Sequence, residues 1–248
     1  SSLFPGVWEV HNNLASLLLD LRRPGEALQS AQAALALRPD DPLVNANVAR
    51  AWLQLDKPEE SIPFLRRALQ GNPATHHLRE MLACALLDTG RPDEGAAVFR
   101  EAEARFADDF QLFEMMAKFY QRARMVMDAE RSLLRMRQMN PRHMPTYGEL
   151  ASLYMDYAQF SKANAVARDG LRMDPDSVVF WNALANSQAS VGQVDEALKS
   201  YRKVLELSPG FAPAHSNMLL SMHWVSSISP EEIFAEHQNF GRMYAPPG

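Results

Sequence analysis

The seven histidines are the first residues to test for chemistry: His11, His76, His77, His143, His215, His223 and His237. None forms a His-x-x-x-His pair, the spacing that sets two metal ligands on one helical face. His76 and His77 are adjacent, so on a helix they point about 100° apart. Surface and helix-packing roles are expected for all seven, with no metal site. The one cysteine, Cys84, would need a partner base to act as a nucleophile, and it reads as a small packing residue. No glycine-rich phosphate loop and no Gly-x-Ser-x-Gly motif occurs. Neither a catalytic set nor a cofactor is expected, so these residues are not read as an enzyme. Binding chemistry remains. An asparagine amide offers both donor and acceptor, so it can hold a peptide backbone without reading its sequence. Arg50, Lys118 and Arg122 suit acidic groups, and Glu80, Glu114 and Glu149 suit basic ones.

Such side chains must be positioned by a repeating framework. Pro39, Pro73, Pro141, Pro175 and Pro209 are separated by 34 residues or twice 34, and the missing member of the series falls at Ala107. A fixed period of this length marks a solenoid, in which one helical unit stacks on the next and the product is an extended binding surface. Counting back from the prolines gives units 8–41, 42–75, 76–109, 110–143, 144–177 and 178–211, with a seventh start at 212. The eighth position of each is Ala15, Ala49, Ala83, Ala117, Ala151 and Ala185, after an apolar seventh position. The twentieth reads Ala27, Ser61, Gly95, Ala129, Ala163 and Ala197. Short polar stops such as Arg23-Pro24-Gly25 and Asp56-Lys57-Pro58 divide each unit into two helices. Proline is tolerated in a first helical turn, where its missing N–H costs nothing. The period-setting prolines fall where the second helix must end. Two units depart from the pattern. Gly95 replaces alanine in the third, and Arg122-Ala123-Arg124-Met125-Val126-Met127 fills the fourth inter-helix turn without glycine or proline.

These spacings resemble the tetratricopeptide repeat (TPR) over residues 8–211. The resemblance implies an all-α fold, a right-handed TPR superhelix (α-solenoid) of six full repeats plus a divergent seventh with a capping helix. It divides the chain into an extension 1–7, the six units, a seventh repeat with capping helix over 212–244, and 245–248 as a linker into a missing region. The domain is expected to be elongated, with the first helices lining its concave face. On that face the resemblance places Asn12, Asn13, Asn47, Arg50, Lys118, Arg122, Asn182 and Asn186 as binding residues. The implied partner is a protein or extended peptide, and homodimerisation through the superhelix is carried with it.

Composition narrows the partners. The net charge of −5 argues against a general nucleic-acid role. No apolar run approaches the roughly 18 residues that span a bilayer, so no membrane partner is expected. A lone cysteine fits a reducing, cytoplasmic compartment. The start, Ser1-Ser2-Leu3-Phe4-Pro5, reads as a cut end rather than a signal peptide.

Beyond 211, Ser229-Pro230-Glu231-Glu232 forms a helix start with a capping box. Ile233, His237, Phe240 and Tyr244 make one stripe, and Ile233, Phe234 and Phe240 are expected to cover the last repeat. The stretch from Ala214-His215-Ser216-Asn217 through Ile233-Phe234-Ala235-Glu236-His237 is similar to the repeat-to-catalytic junction of bacterial O-linked N-acetylglucosamine transferase-like proteins of the SPINDLY type. That similarity implies a superhelix that recruits protein substrates for a glycosyltransferase. In that family an asparagine ladder runs along the sixth positions. Here Asn13, Asn47 and Asn217 match, while Met81, Met115, Glu149 and Ala183 do not. The alternative reading is a stand-alone scaffold or assembly factor for a secretion, pilus or polysaccharide machine.

Overall fold

The computed structural model describes residues 7–244. The linker expected over 245–248 and all but Val7 of the expected extension lie outside the described residues. Every regular element described is an α-helix. The elements run α1 (Val7–Asp20), α2 (Pro24–Leu37), α3 (Pro42–Gln54), α4 (Pro58–Gly71), α5 (His76–Asp88), α6 (Pro92–Glu103) and α7 (Phe110–Arg122). They continue as α8 (Val126–Met139), α9 (Met144–Asp156), α10 (Phe160–Met173), α11 (Val178–Ser190), α12 (Val194–Leu207), α13 (Ala212–Met222) and α14 (Pro230–Tyr244). The chain is all-α, its helices packed as consecutive pairs. It divides into two compact units, one ending at Ala129 and the other beginning at Glu130. No helix among the described residues is long and apolar enough to cross a membrane.

The helix boundaries follow from local chemistry. Pro24, Pro58 and Pro92 open α2, α4 and α6. The Asp41 carboxylate caps α3 by accepting from the Leu43 and Val44 N–H groups at 2.9 and 3.1 Å. Asp109 caps α7 through the Leu112 N–H at 3.1 Å. Between the helices of each of the first six pairs, one residue turns the chain through the left-handed region: Arg22, Asp56, Gly90, Arg124, Ala158 and Gly192, each 34 residues from the next. Four of the six carry a side chain, which costs roughly 1–2 kcal/mol in that region. Ala158→Gly should therefore raise the unfolding free energy by about 0.5–1 kcal/mol, after allowing for the extra freedom glycine has in the unfolded chain. Gly192→Ala, with nothing within 4 Å of its added Cβ, should lose about the same through the backbone alone. Urea titration of the two variants checks both signs.

A second periodic device fixes the joints between pairs. The carbonyl of a period-setting proline accepts from the side chain six residues on. Asn45 Nδ2 donates to Pro39 at 2.8 Å, Tyr147 Oη to Pro141 at 2.9 Å and Trp181 Nε1 to Pro175 at 2.7 Å. Arg79 donates to Pro73. Four unlike side chains thus make the same bond, because each reaches the orphan acceptor just past a helix end. Phe113, six residues after Ala107, has no donor to offer. At Pro209 the sixth residue is His215, which donates to Glu236 of α14 at 2.7 Å. Tyr244 Oη takes the Pro209 carbonyl in its place, at 3.0 Å.

The core is built between successive pairs. The third, seventh and tenth positions of units two to seven are Val44, Val48, Ala51; Leu78, Leu82, Ala85; Leu112, Met116, Phe119; Thr146, Leu150, Leu153; Phe180, Leu184, Ser187; and Ala214, Met218, Ser221. None is more than 7% exposed. Ala31 of α2 packs with Val48, Ala27 with Ala51, and Leu65 and Ala68 of α4 with Leu78, Leu82 and Ala85.

The tail helix α14 closes the second unit. Ser229 and Glu232 bond reciprocally, at 2.8 Å from the Ser229 N–H and 3.2 Å from the Glu232 N–H. Ile233 and Phe240 pack on the cluster of Leu198, Tyr201, Val204, Met218, Leu219 and Met222. Phe234, expected to pack with them, is 64% exposed. Neighbouring residues on a helix diverge by about 100°, so turning Ile233 inward turns Phe234 outward. His215 is 1% exposed beneath the edges of the Phe240 and Tyr244 rings. Burial would raise the Glu236 carboxyl, but bonds from Asn239 and His215 and the Arg202 charge outweigh it and hold the group below its ordinary value.

Candidate peptide-binding faces

In the first unit, α1 and α3 are joined by asparagines. Asn47 Nδ2 donates to Asn12 Oδ1 at 2.9 Å and to the Asn12 carbonyl at 3.3 Å. Arg50 donates to Asn47 Oδ1 at 3.3 Å and to Asp20 at 3.2 Å. Asn12, Asn47 and Arg50 are thus brought into one network, in which Asn12 and Asn47 are buried. Asn13, one position on, is exposed. In α7, Lys118 donates to Glu114 one turn away at 2.7 Å, and Arg122 pairs with Asp88 of α5. Each candidate cation of this unit is therefore held by a carboxylate. Such exposed pairs are worth only about 0–1 kcal/mol, so exchange for an acidic ligand is cheap.

In the second unit, Asn186 Oδ1 accepts from Tyr201 Oη at 2.7 Å and from Asn217 Nδ2 at 3.1 Å. Burial pushes the Tyr201 hydroxyl up to about 12, so it remains a donor at neutral pH. One turn before Asn186, Asn182 Oδ1 is buried with no hydrogen-bond partner. α11 thus offers an unsatisfied acceptor and an amide whose oxygen is already engaged, spaced about 6 Å along the helix axis. Alternate residues of an extended peptide repeat every 6.6–6.8 Å or so, close enough to meet both.

The sixth-position asparagines do not bond to one another. Asn47 reaches Asn12, at a fifth position, and Asn217 reaches Asn186, at a ninth. Tyr201 and the carboxylates Asp20 and Asp88 enter these networks without being expected there from the sequence. A signal for one was present: Asp88 and Arg122 are opposite charges exactly one repeat apart, on adjacent first helices. Burial pushes the Cys84 thiol up, against the nearby Arg122 charge. It therefore stays protonated at neutral pH, as suits packing and not nucleophilic attack. His76 is also a packing residue. Arg79 can only donate, so His76 Nδ1 accepts from it at 3.3 Å. His76 Nε2 then carries the hydrogen to Asp109 at 2.7 Å, with Phe106 against the ring. Among the described residues no group of three or more His, Cys, Asp or Glu side chains is placed to hold a metal ion.

Paired helices at a 34-residue period, with polar first-helix faces, define a helical-repeat binding protein. Residues 12–75 and 178–211 each match a tetratricopeptide-repeat family model, and these two segments carry tetratricopeptide repeats. It is similar to the peroxisomal targeting signal receptors of Kluyveromyces lactis and Saccharomyces cerevisiae, 32% and 31% identical over 72 residues. That stretch is 29% of this chain and 13% and 12% of those proteins, so the chain spans only a small part of the curated relatives it matches. Its fold is similar to the C-terminal part of a TPR repeat-containing protein from Cytophaga hutchinsonii, with TM-score 0.72 and 14% identity over 95% of this chain and 96% of that one. A crystal structure of MamA gives TM-score 0.52 at 16% identity over 67% of this chain and 97% of that one.

Proposed function

We propose that this chain is a protein-interaction scaffold that holds extended segments of client proteins against its first-helix faces. In this reading it recruits substrates for a SPINDLY-type glycosyltransferase. The observation that carries the binding reading is the buried, unsatisfied Asn182 Oδ1 one turn from Asn186. The Asn182 amide must turn outward to be reached, and an orphan acceptor gains a full bond when it then meets a peptide N–H. Asn12 and Asn47 offer a related pair in the first unit, with Asn13 exposed beside them. Arg50, Lys118 and Arg122 favour acidic flanks by exchanging their carboxylates. Bonds to backbone give broad selectivity, which suits several clients. The glycosyltransferase reading rests on the similarity of the stretch from Ala214 to His237.

The test is the affinity of the purified chain for a client peptide recovered by pull-down. Each bond is worth about 0.5–1.5 kcal/mol, so Asn182→Ala and Asn186→Ala should each weaken binding several-fold, and together more than tenfold. Undiminished binding by the double variant, with its helicity intact, overturns the site. The enzyme association is tested separately, in the natural gene. A coding sequence with no nucleotide-sugar-binding region after Gly248 leaves the stand-alone scaffold.

A further inference from the structure

A cavity of about 420 Å³ opens between the second helices α4 and α6, across the start of α5. It shares no residue with the binding faces described above. Arg79 and Leu82 line its inner part, 4% and 2% exposed, and Glu101 and Arg105 its exposed rim. A guanidinium so far from water ordinarily meets a carboxylate. Arg79 pairs with none among the described residues. It donates to His76 Nδ1 at 3.3 Å and to the Pro73 carbonyl, both uncharged acceptors, which leaves most of its five donors unused. The Asp109 carboxylate lies on the far side of the His76 ring. Arg105 adds a second positive charge nearby. The two guanidinium groups stand 5.2 and 5.9 Å from the centre of the Phe106 ring. Burial lowers the Arg79 group from its ordinary value, the Glu101 charge opposes this and the Arg105 charge adds to it.

The same joint recurs four repeats on, with its charges matched. There Arg202, His215 and Met218 stand for Arg66, Arg79 and Leu82. On α14 the lining residues Glu236, Asn239 and Met243 keep the spacing of Val98, Glu101 and Arg105 on α6. Glu236 accepts from His215 at 2.7 Å. Val98 occupies the corresponding place beside Arg79 and has no oxygen to offer. Arg66, on the same wall, is already paired with Glu94 at 2.7 Å. We propose that this cavity binds a small molecule carrying a carboxylate or phosphate beside a short apolar group. The oxyanion meets Arg79 and Arg105, and the apolar part lies on Leu69, Leu82 and Val98. A guanidinium fork holds either oxyanion through two parallel bonds. The Glu101 carboxylate on the rim limits the site to one such group. The volume falls within the range of about 300–1,000 Å³ found for small-molecule sites.

Titration of the whole chain with hexanoate, hexyl phosphate, inorganic phosphate and the neutral hexanamide tests this. The two hexyl anions should bind with dissociation constants on the order of 0.1–1 mM, at least ~10-fold tighter than hexanamide or inorganic phosphate. The Arg79 Nε–H resonance, identified by its loss in Arg79→Gln, should shift as either anion is added. Arg79→Gln should weaken both anions at least ~10-fold. Arg105→Gln, at an exposed position that does not touch the fold, should weaken them about threefold. Val98→Glu sets a carboxylate where α14 has Glu236, and it should close the site to both anions with helicity unchanged by circular dichroism. No binding of either hexyl anion at about 10 mM, or equal binding of hexanamide, overturns the proposal. Binding that leaves the Arg79 resonance unmoved also overturns it, by placing the anion elsewhere. Inorganic phosphate bound as tightly as hexyl phosphate overturns the apolar half and leaves a site for free phosphate.

Discussion

Phe99→Ala should lower the unfolding free energy by about 3–5 kcal/mol, the range for truncating a buried aromatic ring. Phe99 is 0% exposed, at the twenty-fourth position of its unit, on α6. Its ring lies 5.3 Å from that of Phe119 and 6.4 Å from that of Tyr120, both on α7. The three rings make the joint between the third and fourth helix pairs. In a repeat protein each pair is stabilised mainly by its neighbours, so a cavity here weakens the coupling on both sides. The loss should appear in urea titration followed by circular dichroism. Asn182→Ala, on the proposed binding face, should stay within about 0.5 kcal/mol. Equal effects from the two variants would mean that the joint is not packed around Phe99.

Gly95→Ala should cost about 1–3 kcal/mol, although alanine is the common residue at this position and the better helix former by about 1 kcal/mol. An added Cβ would lie 2.7 Å from Phe119 Cζ and 2.9 Å from the Ala83 carbonyl oxygen. The ring can yield only into a filled core, and the carbonyl belongs to α5. The loss of helix-breaking freedom in glycine is therefore outweighed by overpacking. Phe119→Leu on its own should cost stability, yet in the Gly95→Ala background it should recover part of the loss. A double-mutant cycle measures that coupling, which should be well above the roughly 0.3–0.5 kcal/mol expected of independent sites. A stabilised Gly95→Ala would show that propensity outweighs packing at this joint.

These two residues show how far the sequence could be read. The substitution of Gly95 for alanine stood out as a departure, but its cause lay in another helix. Position twenty of one unit packs against position ten of the next. Ala27 meets Ala51 in a small-on-small contact, whereas Gly95 makes room for Phe119. A like exchange occurs at another pair of positions, twenty-seven of the fifth repeat and three of the sixth, where a Cβ on Gly170 would lie 2.7 Å from the Phe180 ring. Volume is conserved across the interface, not at a position, because a close-packed joint tolerates neither a void nor an extra methyl group.

The 34-residue period, the helix starts at Pro24, Pro58, Pro92 and Pro230, the helix ends before the spaced prolines, and the Ser229–Glu232 box were all determined by the sequence itself. Each depends on chemistry within a few residues: a missing N–H, a cap, a turn. The partners of the polar side chains were decided only by the tertiary structure. Asn47 bonds to Asn12 and Asn217 to Asn186, instead of forming a ladder along the sixth positions. Asn182 is left with an orphan acceptor, and Phe234 faces outward where Ile233 faces in. Periodicity says which face of a helix a residue occupies. Which atom it meets there depends on the volumes and register of a helix some 30 residues away, and a pattern of types along one chain does not carry that distance.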